Sequence, residues 1–398
     1  MITAKPYRLI PKIQNYDWGT KNKNAFIPKL LGIKAEQNVP YAELWIGAHP
    51  KSPSEIIIEN SKYELNKIIE EFPIEILGKE ISKKFKKKLP FLLKILSIDN
   101  ALSIQAHPNK STAKILHKND PINYPDDNHK PEIAIAIDKL NAIVGLKNIK
   151  QIKKCFDEYP VLYELLNQKL VKKINSNDLS IKLDKEIYKQ IMSSEPSILK
   201  NVIEGLINTI TAKKSKSKSE IKFLSEFDNY GIDVGLISLL LFNFIDLGKD
   251  KAIFTPAGIP HAYLSGNIIE CMANSDNVVR AGLTNKFKDN ETLLKILDTD
   301  LSKTKVKIVH KKNITLYKTS ADEFEIKRVT LNSEFKSYSS KNNLPEICLV
   351  LEGKIIVKFL DKWMEFKKGE SFLKPSILDK YTIVSKLKEC KFISASIP

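Results

Sequence analysis

Three segments of this chain alternate polar and apolar residues at a period of two, and in each the polar positions carry groups able to bind a metal. They are "LSIQAHPNK" (Leu102 to Lys110), "NHKPEIAIAI" (Asn128 to Ile137) and "FTPAGIPHAYLSGNIIECMANSDNVVRAGLTNK" (Phe254 to Lys286). Successive strand side chains point to opposite faces. Ser103, Gln105 and His107 then share one face, and Leu102, Ile104 and Ala106 the other. Glu132 shares a face with the small residues Ala134 and Ala136, while Ile133, Ile135 and Ile137 pack behind; His261 and Tyr263 also share a face. Three strands would thus turn polar side chains to one interior and an apolar back to a core, as a jelly-roll barrel does.

Gln105, His107, Glu132 and His261 form a mixed nitrogen and oxygen set. Imidazole and carboxylate suit zinc, and also iron or manganese. With one carboxylate and a neutral Gln, a divalent ion keeps net positive charge and can polarise a carbonyl or hydroxyl oxygen. One histidine alone is an ordinary strand residue; the set on aligned faces favours a site. The last segment adds Glu270, Asp276, Arg280 and Lys286 to a largely apolar stretch, and buried charge is costly unless paired or put to chemical use.

These motifs, with "QNYDWGT" (Gln14 to Thr20), "AELWIGAHPKSPS" (Ala42 to Ser54) and "PFLLKILSI" (Pro90 to Ile98), resemble type I phosphomannose isomerase of the cupin superfamily. They run in the family's order over residues 1 to 290. The resemblance implies zinc-dependent, reversible interconversion of mannose 6-phosphate and fructose 6-phosphate, with one zinc per chain on Gln105, His107, Glu132 and His261. It places the catalytic arginine at Arg280 and other active-site positions at Lys94, Ser103, Lys130, Glu270, Asp276 and Lys286. Asn267, Gly258 and Asn285 depart from the usual Asp, Asn and Pro, and are expected to alter loop geometry without removing a ligand.

The chemistry fits the residues. Aldose–ketose isomerisation through an enediol needs a base, an electrophile for the oxygens and exclusion of water. Glu270, in the apolar run "NIIECM", should have its pKa raised by burial; Lys130 and a metal-bound water are the other candidate bases. Arg280 stays charged and would stabilise the enediolate. Lys286, Ser103, Lys94 and Lys130 are expected to contact phosphate, and Tyr263 to touch substrate. His129 is equally readable as a ring-opening group or a solvated loop residue. His49 is placed outside the site. A cupin oxygenase using iron, or a sugar-phosphate-binding regulator, would be the other classes. The first lacks the phosphate apparatus, and the second would have lost a catalytic group.

The net charge of +17 invites a nucleic-acid partner, but the lysines spread along the whole chain with no aromatic-interleaved patch, so none is expected. Cys155, Cys271, Cys348 and Cys390 form no CxxC pair and suit free thiols in a cytoplasmic protein. No secretory segment follows Met1, and the strongest apolar run, Val234 to Ile245, is too short to span a membrane. A monomer is expected.

The fold class expected is mainly β with a helical insert. Residues 1–148 with 248–314 would form a cupin-type catalytic barrel. Residues 149–247, where apolar residues recur at helical spacing, would form a helical domain. Residues 315–398 would form a second, degenerate cupin barrel. "PAGIPH" matches the cupin pattern P-x-G-x-x-H, whereas "GESFLKP" is followed by no His. "KKSKSKSE" (Lys213 to Glu220) reads as a solvated low-complexity loop.

Overall fold

The computed structural model describes residues 1–176, 183–385 and 389–398. The protein is mostly β-sheet with a helical region, an arrangement compatible with the expected barrels. Every pairing among its described strands is antiparallel. One nine-stranded sheet carries the metal-ligand candidates. Its centre is the strand Glu132–Leu146, paired on one side with Phe242–Gly248 and Ala252–Thr255 and on the other with His261–Ala273. Beyond His261–Ala273 come Phe91–Ile98 and Glu43–Gly47, with Ile104–Ala106 and Val279–Gly282 at the near end. The chain here is β-branched and aliphatic on the face that packs inward, which suits a pleated surface buried on one side.

The two faces of this sheet do different things. Ile133, Ile135, Ile269, Cys271, Leu93 and Ile95 form one core with Leu9, Ile56, Ile347, Leu349 and Leu373 of a second nine-stranded sheet. Ala134, Ala136, Tyr263 and Ile268 face the other way, into a smaller cluster with Leu140, Ala142 and Val144. Cys271 therefore lies on the packing face, opposite Glu270, as alternation requires.

The second sheet pairs strands across the expected boundaries. Tyr7–Ile10 lies between Ser371–Lys374 and Glu55–Ile58, so the start of the chain is hydrogen-bonded into the sheet formed by its end. Lys307–Lys311 also joins this sheet through Ile314–Lys318, across residue 315. A four-stranded sheet covers its far end, enclosing Val329, Val350, Phe366, Phe372, Tyr381 and Phe392. The core of that sandwich contains no histidine: His310, on the edge strand Lys307–Lys311, is exposed, and none of the chain's 6 lies beyond it.

Helices run from Ile149–Glu158 to Gly235–Leu241 and bury Phe156, Leu162, Tyr188, Leu206 and Phe223 against the back of the Ile104–Ala106 strand. The loop expected over Lys213 to Glu220 is shorter than that. Helix Lys218–Tyr230 begins inside it, because Ser217 accepts from the Glu220 amide while Glu220 reaches back to the Ser217 amide. This capping box satisfies two amides that a helix start leaves unpaired. Lys213 is pinned as well, between Glu158 and Glu220. Among the described residues, no helix is long and apolar enough to cross a membrane.

Leu9 is 3 % exposed in the core shared by the two large sheets. Leu9→Ala should cost about 2–5 kcal/mol, read as a lowered urea midpoint at unchanged m-value. A change within experimental error would show that the N-terminal strand does not support this core.

Candidate active site and metal centre

Glu132 opens its strand and His261 opens the next, while His107 follows the short strand Ile104–Ala106. The ladder sets His261 opposite Val144 and Gln105, whereas Glu132 pairs with Met272, so its side chain meets the imidazoles through space and not along the ladder. All three ligand candidates are buried. His107 Nε2 is 3.4 Å from Glu132 Oε1, and His261 Nε2 is 3.3 Å from Glu132 Oε2. The other nitrogen of each ring is committed: His107 Nδ1–H donates to the Asn277 carbonyl at 2.9 Å, and His261 Nδ1–H to the Ile259 carbonyl at 3.0 Å. Those carbonyls set the tautomer, so both Nε2 lone pairs point at Glu132. His107 Nε2, His261 Nε2 and Glu132 Oε2 are buried and have no hydrogen-bond partner. Their ligand atoms lie within 4.8 Å of one another. Buried polar atoms are nearly always satisfied, and one cation between two imidazoles and a carboxylate would satisfy these. The donor set fits zinc.

Gln105 is the cross-strand neighbour of both His261 and Arg280, which places it at the rim of the cluster. Burial alone would push Glu132 up; His107 and Lys130 beside it hold it well below the usual carboxylate range. Lys130 Nζ is 3.2 Å from Glu132 Oε1.

Glu270 and Lys94 form a second buried cluster on the same sheet face. They are opposed residues on adjacent strands, the position where charged pairs meet most closely. Lys94 Nζ lies 3.3 Å from Glu270 and 3.2 Å from Glu43, over the Trp45 ring. Glu43 also accepts from Trp45 Nε1 at 2.5 Å. One ammonium thus serves two buried carboxylates. Burial raises the Glu270 pKa to about 7 against the pull of Lys94, with Glu132 and Glu43 pushing it further up. Lys94 stays protonated: burial alone would lower it, but Glu43 and Glu270 raise it.

Asp276 lies between Lys51 at 2.9 Å and His49 at 3.5 Å, and although burial would raise it, these neighbours leave its pKa lowered. His49 is outside the three-ligand cluster but borders the site: it is 3 % exposed and packs edge-on against Trp45. Arg280 and Lys286 make no ion pair with a described residue; burial lowers both, and Arg280 lowers Lys286 further. Lys286 sits over the Tyr16 ring. Ser103 leads into the Ile104–Ala106 strand, and the Tyr263 ring lies 5.8 Å from that of His261. His129 is turned to Glu323, 2.7 Å away, on the segment that enters the second sheet. Glu43 was not foreseen from sequence, although an acid in the apolar run "AELWIG" is the same kind of signal as Glu270 in "NIIECM".

Two sequence departures have local reasons. Gly258 has φ +82°, and a Cβ there would come within 2.4 Å of the Ile296 carbonyl. Asn267 donates to Asp138 Oδ2 at 2.6 Å, where an aspartate would meet like charge.

Residues 7–149 match the catalytic domain of type I phosphomannose isomerase. A mannose-6-phosphate isomerase of Candida albicans is 40% identical over 325 residues, spanning 75% of this chain and 73% of its own. Mannose-6-phosphate isomerase 2 of Arabidopsis thaliana is 34% identical over 364 residues, spanning 86% and 82%. The chain belongs to the type I phosphomannose isomerase family. It is therefore an intramolecular aldose–ketose isomerase. A solved mutant of phosphomannose isomerase from Salmonella typhimurium has a TM-score of 0.88 to it at 26% identity, over 99% of this chain and 100% of that one. A mannose 6-phosphate isomerase bound with zinc and yttrium has a TM-score of 0.87 at 26% identity, over the same shares of the two chains.

Burial lowers the His49 pKa from 6.5 to about 4 in this phosphomannose isomerase, with Asp276 opposing. The unfolded chain then binds the proton first as pH falls. Stability from this group is complete above pH 6.5 and is lost between 6.5 and about 4. The shift corresponds to about 3 kcal/mol. His49→Gln should reduce the loss of stability on acidification by about that amount in urea titrations across the window. An unchanged acid slope would refute the buried neutral imidazole.

Proposed function

We propose that this chain interconverts mannose 6-phosphate and fructose 6-phosphate with one zinc held by Gln105, His107, Glu132 and His261, in a cupin-type barrel. The observation that carries the metal reading is the convergence of three buried, unpartnered ligand atoms from three separate segments. When bound, zinc supplies a Lewis acid that polarises an oxygen of the reacting carbon pair.

Glu270 moves the proton. It takes a proton from C2 of the open-chain aldose, leaving an enediolate; with the hydroxyl proton passed from O2 to O1, it returns its proton to C1 to give the ketose. A carboxylate raised to about 7 is strong enough to accept a proton and weak enough to give it back. Lys94 stays charged beside it and keeps the ionised form accessible. Arg280, without a carboxylate partner among the described residues, stabilises the enediolate oxygens in this reading. Lys286 and Ser103 hold the phosphate, and Lys130, Asp276 and Tyr263 complete the wall. His129 contributes less to ring opening in this reading, because its ring is engaged by Glu323. The partner is a sugar phosphate, and the protein acts as a monomer in the cytoplasm. The four cysteines, all buried and free, agree with a reducing compartment.

Chelation should abolish isomerisation of mannose 6-phosphate and zinc should restore it, with one zinc per chain found by elemental analysis. Free mannose should react poorly, having no phosphate for Lys286. Full activity without metal, equal kcat/KM for both sugars, or a need for iron and oxygen would each overturn the assignment.

Glu270→Gln and Arg280→Ala should leave zinc bound and lower kcat by roughly tenfold to thousandfold. Near-normal kcat in Glu270→Gln would move the base to Lys130.

A further inference from the structure

The strand that carries Glu270 and the strand that carries Arg280 are joined by residues 274–278, which belong to no helix or strand. A connection without a ladder must find other partners for its backbone. The Asp276 amide, with the side chains of Ser275 and Asn277, finds its partner on one residue of a different loop, while the Asn274 amide goes to the Pro90 carbonyl and the Asn277 amide to Ser275 Oγ. Asp126 Oδ2 accepts the Asp276 amide at 2.7 Å. Asp126 Oδ1 accepts the Ser275 hydroxyl at 2.8 Å, the Asn128 amide at 3.0 Å and the Asn277 side-chain amide at 3.2 Å. The Asp126 carbonyl takes the same Asn277 amide at 2.6 Å, and the Asn128 carbonyl lies 2.9 Å from it. Three consecutive residues, Ser275, Asp276 and Asn277, are thereby tied to Asp126.

The far side of that turn faces the metal-ligand cluster. Asn277 is fully buried, and its carbonyl is the acceptor for His107 Nδ1–H. The Asp276 side chain reaches Lys51 and His49. We infer that Asp126 is a positioning residue of this site: it holds the 274–278 connection so that the Asn277 carbonyl keeps His107 as the Nδ1–H tautomer, with Nε2 free toward Glu132 and His261.

The residue type follows from the geometry. An ionised carboxylate offers only acceptors, at about four lone-pair sites, and this one faces four donors. Bonds to an ionised acceptor are about twice as strong as neutral ones. An amide in its place would turn an NH2 group toward the Asp276 amide or the Ser275 hydroxyl and break part of the set. His261 is held differently, by the Ile259 carbonyl two residues away, so the two imidazoles depend on separate supports.

The inference uses the metal reading above only for its second measurement. The first is made on metal-free protein, by following the nitrogen shifts of 15N-labelled imidazoles under alkaline conditions. The wild type should show His107 as a single Nδ1–H tautomer. Asp126→Asn should populate both tautomers at His107 and leave His261 as Nδ1–H. Asp127→Asn, the same charge change at the exposed neighbour, should match wild type. A structural role alone would lower stability without changing the His107 tautomer in folded protein, and that result would overturn the inference. Loss of the His261 tautomer as well would report unfolding of the variant. Asn277→Ala, which keeps the carbonyl but removes its grip on Asp126, then decides, with the same expectation at His107. In the second measurement, zinc affinity from chelator competition should fall about 10–100-fold in Asp126→Asn and stay unchanged in Asp127→Asn. Unchanged affinity in Asp126→Asn would count against the inference. A wild type that binds no zinc would count against the proposed function instead, leaving the tautomers to decide the role of Asp126.

Discussion

Glu132 is 1 % exposed, and its two oxygens stand within 3.4 Å of two imidazole nitrogens that have no other partner. A carboxylate this deep is unstable unless its charge is met, and much of the architecture serves that condition. Lys130 approaches one oxygen. Ala134 and Ala136, on the same face of the strand, leave room that larger residues would fill. Backbone carbonyls of Asn277 and Ile259 turn the histidine protons away from the carboxylate. On the opposite face, Ile133 and Ile135 lock the strand into the core shared by the two large sheets. The ligand geometry is therefore anchored to the part of the fold with the most apolar burial.

Beside that centre, charge is distributed so that one group can change its protonation easily. Lys94 lies between Glu43 and Glu270, leaving two buried acids with one ammonium. Glu132, by contrast, has a lysine and two imidazoles. Two carboxylates on the same face of one sheet are thus driven in opposite directions, Glu132 down and Glu270 up. Such a divergence between neighbouring carboxylates is the pattern of an acid–base site. Arg280 and Lys286 face the same region without a carboxylate of their own among the described residues, so they remain available to an anionic substrate.

Parts of this were legible because strand alternation is local. The shared faces of Gln105 with His107, of Glu132 with Ala134 and of His261 with Tyr263 follow from a period of two, and the opposed placement of Cys271 and Glu270 follows from the same rule. Glu43 carried a readable signal, an acid within an apolar strand, that went unused. The capping box at Ser217 and Glu220 was also local, but lay hidden in a lysine- and serine-rich stretch that suggested a loop. The pairing of Tyr7–Ile10 with Ser371–Lys374 was not legible, because either strand alone has the same pattern whichever edge it joins. The partner of His129 was equally remote in sequence, at Glu323.

By itself, then, the sequence determined the donor types, the faces they occupy and the family to which such motifs belong, since these depend on residue identity and on spacings of a few positions. Only the tertiary structure decided that His107, Glu132 and His261 meet, that one lysine serves two acids, and that Asp126 supports the turn behind His107. Those outcomes rest on antiparallel register between distant strands and on exclusion of water from the space they enclose. Neither is a property of any short segment, and both must be in place before a carboxylate can be held ionised at one position and near neutrality at another.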